Sequence, residues 1–222
     1  MPPLSLPNIR RLLAANTAVT IVALGSSSTQ GYHSTDIGHS YPAVLQAELS
    51  AALRQTHVAV INRGIGGQDA IEMTQRIEAD VLAIRPALVV WQVGANGAMK
   101  RLDPDLFRTL VFAGVKRLQD AGIDVVLMDN QRAPAIMASP RHIQIGQALA
   151  DIAVATGAGL FGRGALMDQW RDAGHPFSEF VADDGIHHND RGYHCVAKAL
   201  SASILEGLGH PEAPVRSASS RR

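Results

Sequence analysis

The sequence predicts a single α/β domain, a doubly wound α/β/α sandwich built around a five-stranded, mainly parallel sheet. Three observations predict it. Apolar runs of strand length recur along the chain with helical stretches between them, instead of separate blocks of strands and helices. Runs such as Leu88-Val89-Val90-Trp91 show no polar alternation, as expected of strands covered on both faces. A chain of 222 residues with 46% hydrophobic content is also enough for one continuous core.

Taken in order, residues 1–19 read as a lead-in, interrupted by Arg10 and Arg11 and without a long apolar stretch. The first strand is Thr20–Leu24. It runs into Gly25-Ser26-Ser27-Ser28-Thr29-Gln30-Gly31-Tyr32, which is too polar to continue the strand and too short for a separate element, and so reads as a tight loop. Ser40 before Tyr41-Pro42 opens a helix towards Leu53, with a capping side chain and a proline in the first turn. Strands follow at Val58–Asn62 and Ala87–Val93. Asp103-Pro104 opens a helix that Gly122 closes, and Asp124–Met128 is the fourth strand. Ser139-Pro140 opens a helix that Gly157 closes, before a short strand at Gly159–Phe161. In the last helix Tyr193, Val196, Ala197, Leu200, Ile204 and Leu208 follow three- and four-residue spacing, an apolar stripe that binds it to the sheet, and Gly209 ends it. Residues 210–222, rich in Pro, Ser and Arg, read as a disordered tail, which leaves 20–209 as the domain. The architecture expected is flavodoxin-like, and in such sheets the loops at the carboxyl ends of the strands converge on one crevice.

Lys plus Arg and Asp plus Glu each number 20, so no net charge draws the chain to nucleic acid or to an anionic membrane surface. No membrane span is expected. With no secretory leader visible in residues 1–16, the chain as it stands reads as cytoplasmic; a chain trimmed of a leader would read the same way and be periplasmic or secreted. The single cysteine, Cys195, has no partner for an internal disulfide and is expected to be buried and inert. Nothing in the sequence fixes an oligomeric state.

The polar residues of interest follow the strands. After the first come Ser26-Ser27-Ser28, after the second Asn62-Arg63-Gly64-Ile65-Gly66-Gly67-Gln68, and after the third Gly94-Ala95-Asn96-Gly97. A serine nucleophile belongs where a buried strand runs out into a turn, and glycines let backbone N–H groups approach a ligand. Each stretch also has a plain reading as a turn or cap. The fourth stretch, Asp183-Asp184-Gly185-Ile186-His187-His188-Asn189-Asp190, precedes the last helix. A spacing of three between Asp184 and His187 permits one turn in which the carboxylate holds the imidazole, the orienter and base that nucleophilic catalysis requires. Alternatively one of the histidines is a cap or surface residue, or Asp183, Asp184, His187, His188 and Asp190 ligate a metal; no HExxH, cysteine pair or EF-hand pattern accompanies them.

Together the four stretches, which span Ile21 to Tyr193, resemble the sequence blocks of the SGNH hydrolase family, the GDSL esterases and lipases. Gly25, Thr29 and Gly31 set the register of the first block, so the resemblance implies Ser27 as nucleophile, with Ser26 at the position of the usual Asp. It also implies His187 as base and Asp184 as orienter. The oxyanion hole it implies is formed by the N–H groups of Ser27 and Gly67 and the side-chain amide of Asn96, with Gly97 replacing the Asp that usually follows that Asn. No metal and no cofactor is expected. The function it implies is a serine esterase working through an acyl-enzyme. Thioesterase or lysophospholipase activity with the same triad is one alternative, and a non-catalytic carbohydrate-binding accessory protein, favoured by the two departures, is another. Aromatic content of 5% and loops carrying His33, Asp36, Arg132 and His175 in place of Leu or Phe point to a small acyl group, acetyl above all, on a small polar or carbohydrate carrier, with Arg132 as a contact to that carrier.

Overall fold

Five strands form the sheet: β1 (Val19–Gly25), β2 (Val58–Gly64), β3 (Leu88–Gln92), β4 (Asp124–Met128) and β5 (Gly159–Phe161), in the spatial order β2-β1-β3-β4-β5. All neighbours are parallel; Ile21, for example, faces Val60 on one side and Leu88 on the other. The structure, a computed structural model, describes residues 3–209, so the expected tail at 210–222 lies outside the described residues. The helices are α1 (Pro7–Ala14), α2 (Ser27–Gln30), α3 (Tyr41–Ala52), α4 (Ala70–Gln75), α5 (Ala95–Met99), α6 (Pro104–Asp120), α7 (Pro134–Met137), α8 (His142–Thr156), α9 (Arg163–Asp172) and α10 (Asp190–Gly207).

The two-residue period of the strands divides their side chains between two cores. Ile21, Ala23, Leu88 and Val90 pack with Leu45 and Leu49 of α3 and with Val196 and Leu200 of α10. Their neighbours Val22, Leu24, Val89 and Trp91 pack on the other face with Met73 of α4, Val111 and Val115 of α6 and Leu149 of α8. Every residue of β3 is buried, which accounts for its unbroken apolar run.

Besides the stretch 25–32, which coils into α2 and is not a plain loop, the chain folds differently from the sequence reading in three places. Residues 1–19 contain α1, and Leu4, Leu6 and Ile9 are buried in the first core. The polar residues around that helix mask its apolar side, and its N-terminal cap comes from far along the chain: Asp124 accepts from the N–H of Asn8 at 3.0 Å and of Ile9 at 3.1 Å. Next, Ser139-Pro140 does not open α8. The Ser139 hydroxyl donates to Ala98 O at 2.6 Å and accepts from the Arg141 N–H at 3.2 Å, so the stretch is spent on a turn, and the helix starts at His142. Cys195, finally, is half-buried on α10.

The chain leaves β1 towards β2 on one side and β3 towards β4 on the other. The carboxyl ends of β1 and β3 therefore flank the point where connections diverge, the place where such sheets open a crevice.

Candidate active site

β1 ends at Gly25, and the backbone goes over into the single turn of α2, with Ser27 at its first position and Gly31 closing it in the left-handed region. The turn is pressed onto the end of β2: a Cβ added to Gly64 would lie 2.1 Å from the backbone nitrogen of Gln30, so only glycine fits there. The three serines point to different places. Ser26 turns inward, its N–H and Oγ donating to Gln92 Oε1 at 3.0 and 3.1 Å, where Thr29 Oγ1 joins them at 3.1 Å. Ser28 is buried and accepts from Gln131 Nε2 at 3.3 Å. Ser27 alone faces the crevice, its Oγ 2.6 Å from His187 Nε2.

His187 Nδ1 in turn lies 2.5 Å from Asp184 Oδ2, while Asp184 Oδ1 accepts from the N–H groups of Ile186 and His187, both at 3.0 Å. A carboxylate only accepts, so Nδ1 carries the proton and Nε2 is left to accept from the serine hydroxyl. Burial opposes the charged form of Asp184, but the hydrogen bonds from the His187 ring and from the two backbone N–H groups outweigh it and hold the carboxyl at about 2. Its neighbour His188 has a different role. It is fully buried, its Nδ1 donates to Phe180 O at 3.0 Å, and burial together with the Arg163 charge pushes its pKa down to about 3, so it is neutral. One histidine of the pair belongs to the core and the other to the crevice.

Across the crevice, Gly67 takes a left-handed φ of 76° with open space where a side chain would be. Neither its N–H nor that of Ser27 has an acceptor among the described residues. Asn96, at the start of α5 after β3, donates one amide hydrogen to Gln68 O at 2.8 Å, which links its helix to the Gly67 loop. The same two elements are tied by Lys100, 3.2 Å from Asp69 and 3.4 Å from Glu72, the residues that form the capping box of α4. A Cβ added at Gly97 would meet Leu102 and Phe107 at ordinary contact distance, so that position does not itself require glycine.

Arg132 does not join this group; its Nε donates to Asp168 on α9 at 2.9 Å, and no bond links it to Ser27, Asp184 or His187. The five residues considered as metal ligands do not converge either. Asp190 bonds Thr35, His188 is in the core and the exposed Asp183 does not reach the others, which leaves Asp184 and His187, joined by His33. A separation of 2.5 Å between Asp184 Oδ2 and His187 Nδ1 is a hydrogen-bond length, shorter than two ligands each about 2 Å from one ion would take up.

Other residues support the site without having been foreseen. Gln92 could have been noticed as the amide ending an apolar run. Arg76 reads as an ordinary helix-surface residue, yet it donates to Gly25 O at 2.8 Å, Arg63 O at 2.9 Å and Gln68 Oε1 at 2.6 Å, joining the ends of β1 and β2 to the Gly67 loop. His33 was noted only as polar lining; its Nε2 is 3.2 Å from Asp184 Oδ2.

A comparison with curated proteins finds no match. Among solved structures, the fold is similar to that of a two-domain esterase active on acetylated mannans, co-crystallized with mannopentaose, with TM-score 0.79 at 20% identity over 98% of this chain and 58% of that chain. This chain thus spans little more than half of that protein. It is also similar to an acetylxylan esterase from Geobacillus stearothermophilus (TM-score 0.70, 19% identity, 86% of this chain and 94% of that chain). A third similar structure is a psychrotrophic esterase from Pseudoalteromonas sp. (TM-score 0.71, 23% identity, 86% and 98%). At these identities the likeness is one of fold. The serine turn keeps the Gly and Ser of the GDSL block and replaces its Asp by Ser26, and in keeping with that pattern residues 2–210 match the non-GDSL lipase-like family, to which this chain belongs.

Proposed function

We propose that the protein is a serine esterase that removes a short acyl group, acetyl above all, from a carbohydrate or other polar carrier. The observation that carries this reading is the hydrogen-bonded order Ser27 Oγ, His187 Nε2, His187 Nδ1, Asp184 Oδ2 at the switch point of the sheet. Ser27 Oγ attacks the ester carbonyl as its proton passes to His187 Nε2, and the imidazolium is supported by the Asp184 carboxylate. The tetrahedral oxyanion is received by the N–H groups of Ser27 and Gly67 and the remaining amide hydrogen of Asn96. On collapse the proton goes from His187 to the leaving alcohol. Water then adds to the acyl-enzyme by the same proton path and releases the acid.

The acetyl and carbohydrate assignment is supported by the polar crevice and by Tyr32, which is exposed beside the His187 ring and offers a face to a sugar. It is supported too by fold likeness to esterases whose substrates are acetylated mannan and acetylxylan. The test is a series of p-nitrophenyl esters from acetate to palmitate, with acetylated xylo- and mannooligosaccharides, together with labelling by a fluorophosphonate. Ser27→Ala and His187→Ala should lose nearly all hydrolysis, and Ser27→Ala all labelling. Asn96→Ala should retain a residue, about a hundredfold to a thousandfold below the parent, the usual worth of one oxyanion donor. Rates rising towards palmitate would exclude the short-acyl reading, and a protein that neither labels nor hydrolyses would be a binding protein.

A further inference from the structure

Asp184 Oδ2 serves two imidazoles. His187 Nδ1 is 2.5 Å from it and His33 Nε2 is 3.2 Å from it. The two rings also lie nearly parallel, 24° apart with centroids at 5.6 Å, and Tyr32 stands edge-on to both, 4.9 Å from His33 and 5.0 Å from His187. His33 reaches this position from a left-handed backbone, φ 65°, an unfavourable conformation for a residue with a side chain and one that surrounding contacts have to hold.

We infer that His33 is a positioning residue of the Ser27 site: its Nε2, 3.2 Å from the Asp184 Oδ2 that His187 uses, and its ring, lying against the His187 ring, together hold carboxylate and imidazole in line. The inference rests on the esterase reading above for its meaning in catalysis. The backbone N–H groups on Oδ1 and the His187 ring on Oδ2 set the plane of the carboxylate. His33, 3.2 Å from the same Oδ2, adds a polar neighbour that opposes displacement of that oxygen from the line of Nδ1–H. The ring also covers one face of His187, which restricts that ring to the orientation in which Nε2 meets Ser27.

Two variants separate the donor from the ring. His33→Gln retains an amide donor at a similar reach without the ring, and His33→Phe retains the ring without the donor. His33→Phe should lower kcat on p-nitrophenyl acetate roughly tenfold with KM within twofold, the order of effect of one polar contact to a charged group. It should slow labelling by a small fluorophosphonate by a similar factor, and His33→Gln should recover most of both. The labelling rate matters because a side chain that only touched the sugar carrier would leave a carrier-free probe unaffected. In proton NMR of the free protein, the downfield Nδ1–H signal of His187 should broaden in His33→Phe and stay close to its parental position in His33→Gln. Parental kcat and labelling in His33→Phe, or a change in KM alone, would overturn the inference. If the parent protein neither labels nor hydrolyses, the esterase reading falls, and an unchanged His187 signal in His33→Phe would separately show that the contact orients nothing.

Discussion

At the residue scale Ser27, His187 and Asp184 are joined by hydrogen bonds, and the first two have neighbours of the same kind. Three consecutive serines and two consecutive histidines are chemically equivalent on paper. In the structure Ser26 is bonded to Gln92, Ser28 to Gln131 and His188 to Phe180 O, so only Ser27 and His187 are left to meet. The family resemblance, with its register set by Gly25, Thr29 and Gly31, implies Ser27 among the serines, and the three-residue spacing from Asp184 points to His187. The charge state of Asp184 gives a prediction. Its carboxyl sits at about 2, below the ordinary 3.8, so its stabilising bonds to the loop are complete above about pH 4 and are lost only as pH falls through 2. The acid limb of the pH profile of kcat/KM should therefore show no ionisation of this carboxyl between pH 3 and 5. An inflection in that range, removed by Asp184→Asn, would contradict this.

At the element scale, the turn α2 depends on the missing side chain of Gly64. Gly64→Ala would drive a methyl group into the Gln30 backbone, which cannot move without moving Ser27. We expect a loss of about 1–3 kcal/mol in urea unfolding, typical of overpacking, accompanied by slower fluorophosphonate labelling of the protein that remains folded. Loss of stability with an unchanged labelling rate would mean that the turn is not set by this contact. The loop before α10 gives a second prediction, through His188. Its folded pKa of about 3 lies below the ordinary 6.5, so the unfolded chain takes up the proton first. Its contribution is complete above pH 6.5 and declines as pH falls towards 3, by about 2 kcal/mol between pH 6.5 and 5. His188→Asn, which retains a donor to Phe180 O, should be less stable at pH 7 but lose less on acidification. The difference between the two unfolding curves should therefore narrow as pH falls, and parallel curves would show that His188 is protonated in the folded state.

At the scale of the molecule, the sheet separates stability from chemistry. α1 closes the amino-terminal ends of the strands, with Leu4, Leu6 and Ile9 in the core, while Ser27, Gly67, Asn96 and His187 all sit at the carboxyl-terminal ends. Leu6→Ala should cost about 2–5 kcal/mol in urea unfolding, as removal of a buried Leu does, yet leave kcat per folded molecule unchanged. A fall in kcat without a fall in stability would show that the two ends are coupled. The five-stranded order also explains how residues separated by 160 positions come to touch: β1 and β3 are neighbours with divergent connections, and α10 packs beneath β1 through Val196 and Leu200.

The sequence by itself determined the sheet and most of the long helices, and it put forward Ser27, Asp184 and His187, which the structure brings within hydrogen-bonding distance. These readings rest on short-range patterns: Leu88–Trp91 without polar residues, Asp103-Pro104, and Asp184 three residues before His187. Only the tertiary structure decided what depends on partners distant in the chain. Asp124 caps α1 from 115 residues away, Gln92 takes up Ser26 from 66 away, Arg76 ties Gly25 to Arg63, and His33 comes to lie on Asp184. None of these contacts leaves a periodicity or a spacing to read, because each depends on where the sheet places two strand ends, and not on the residues next to it in sequence.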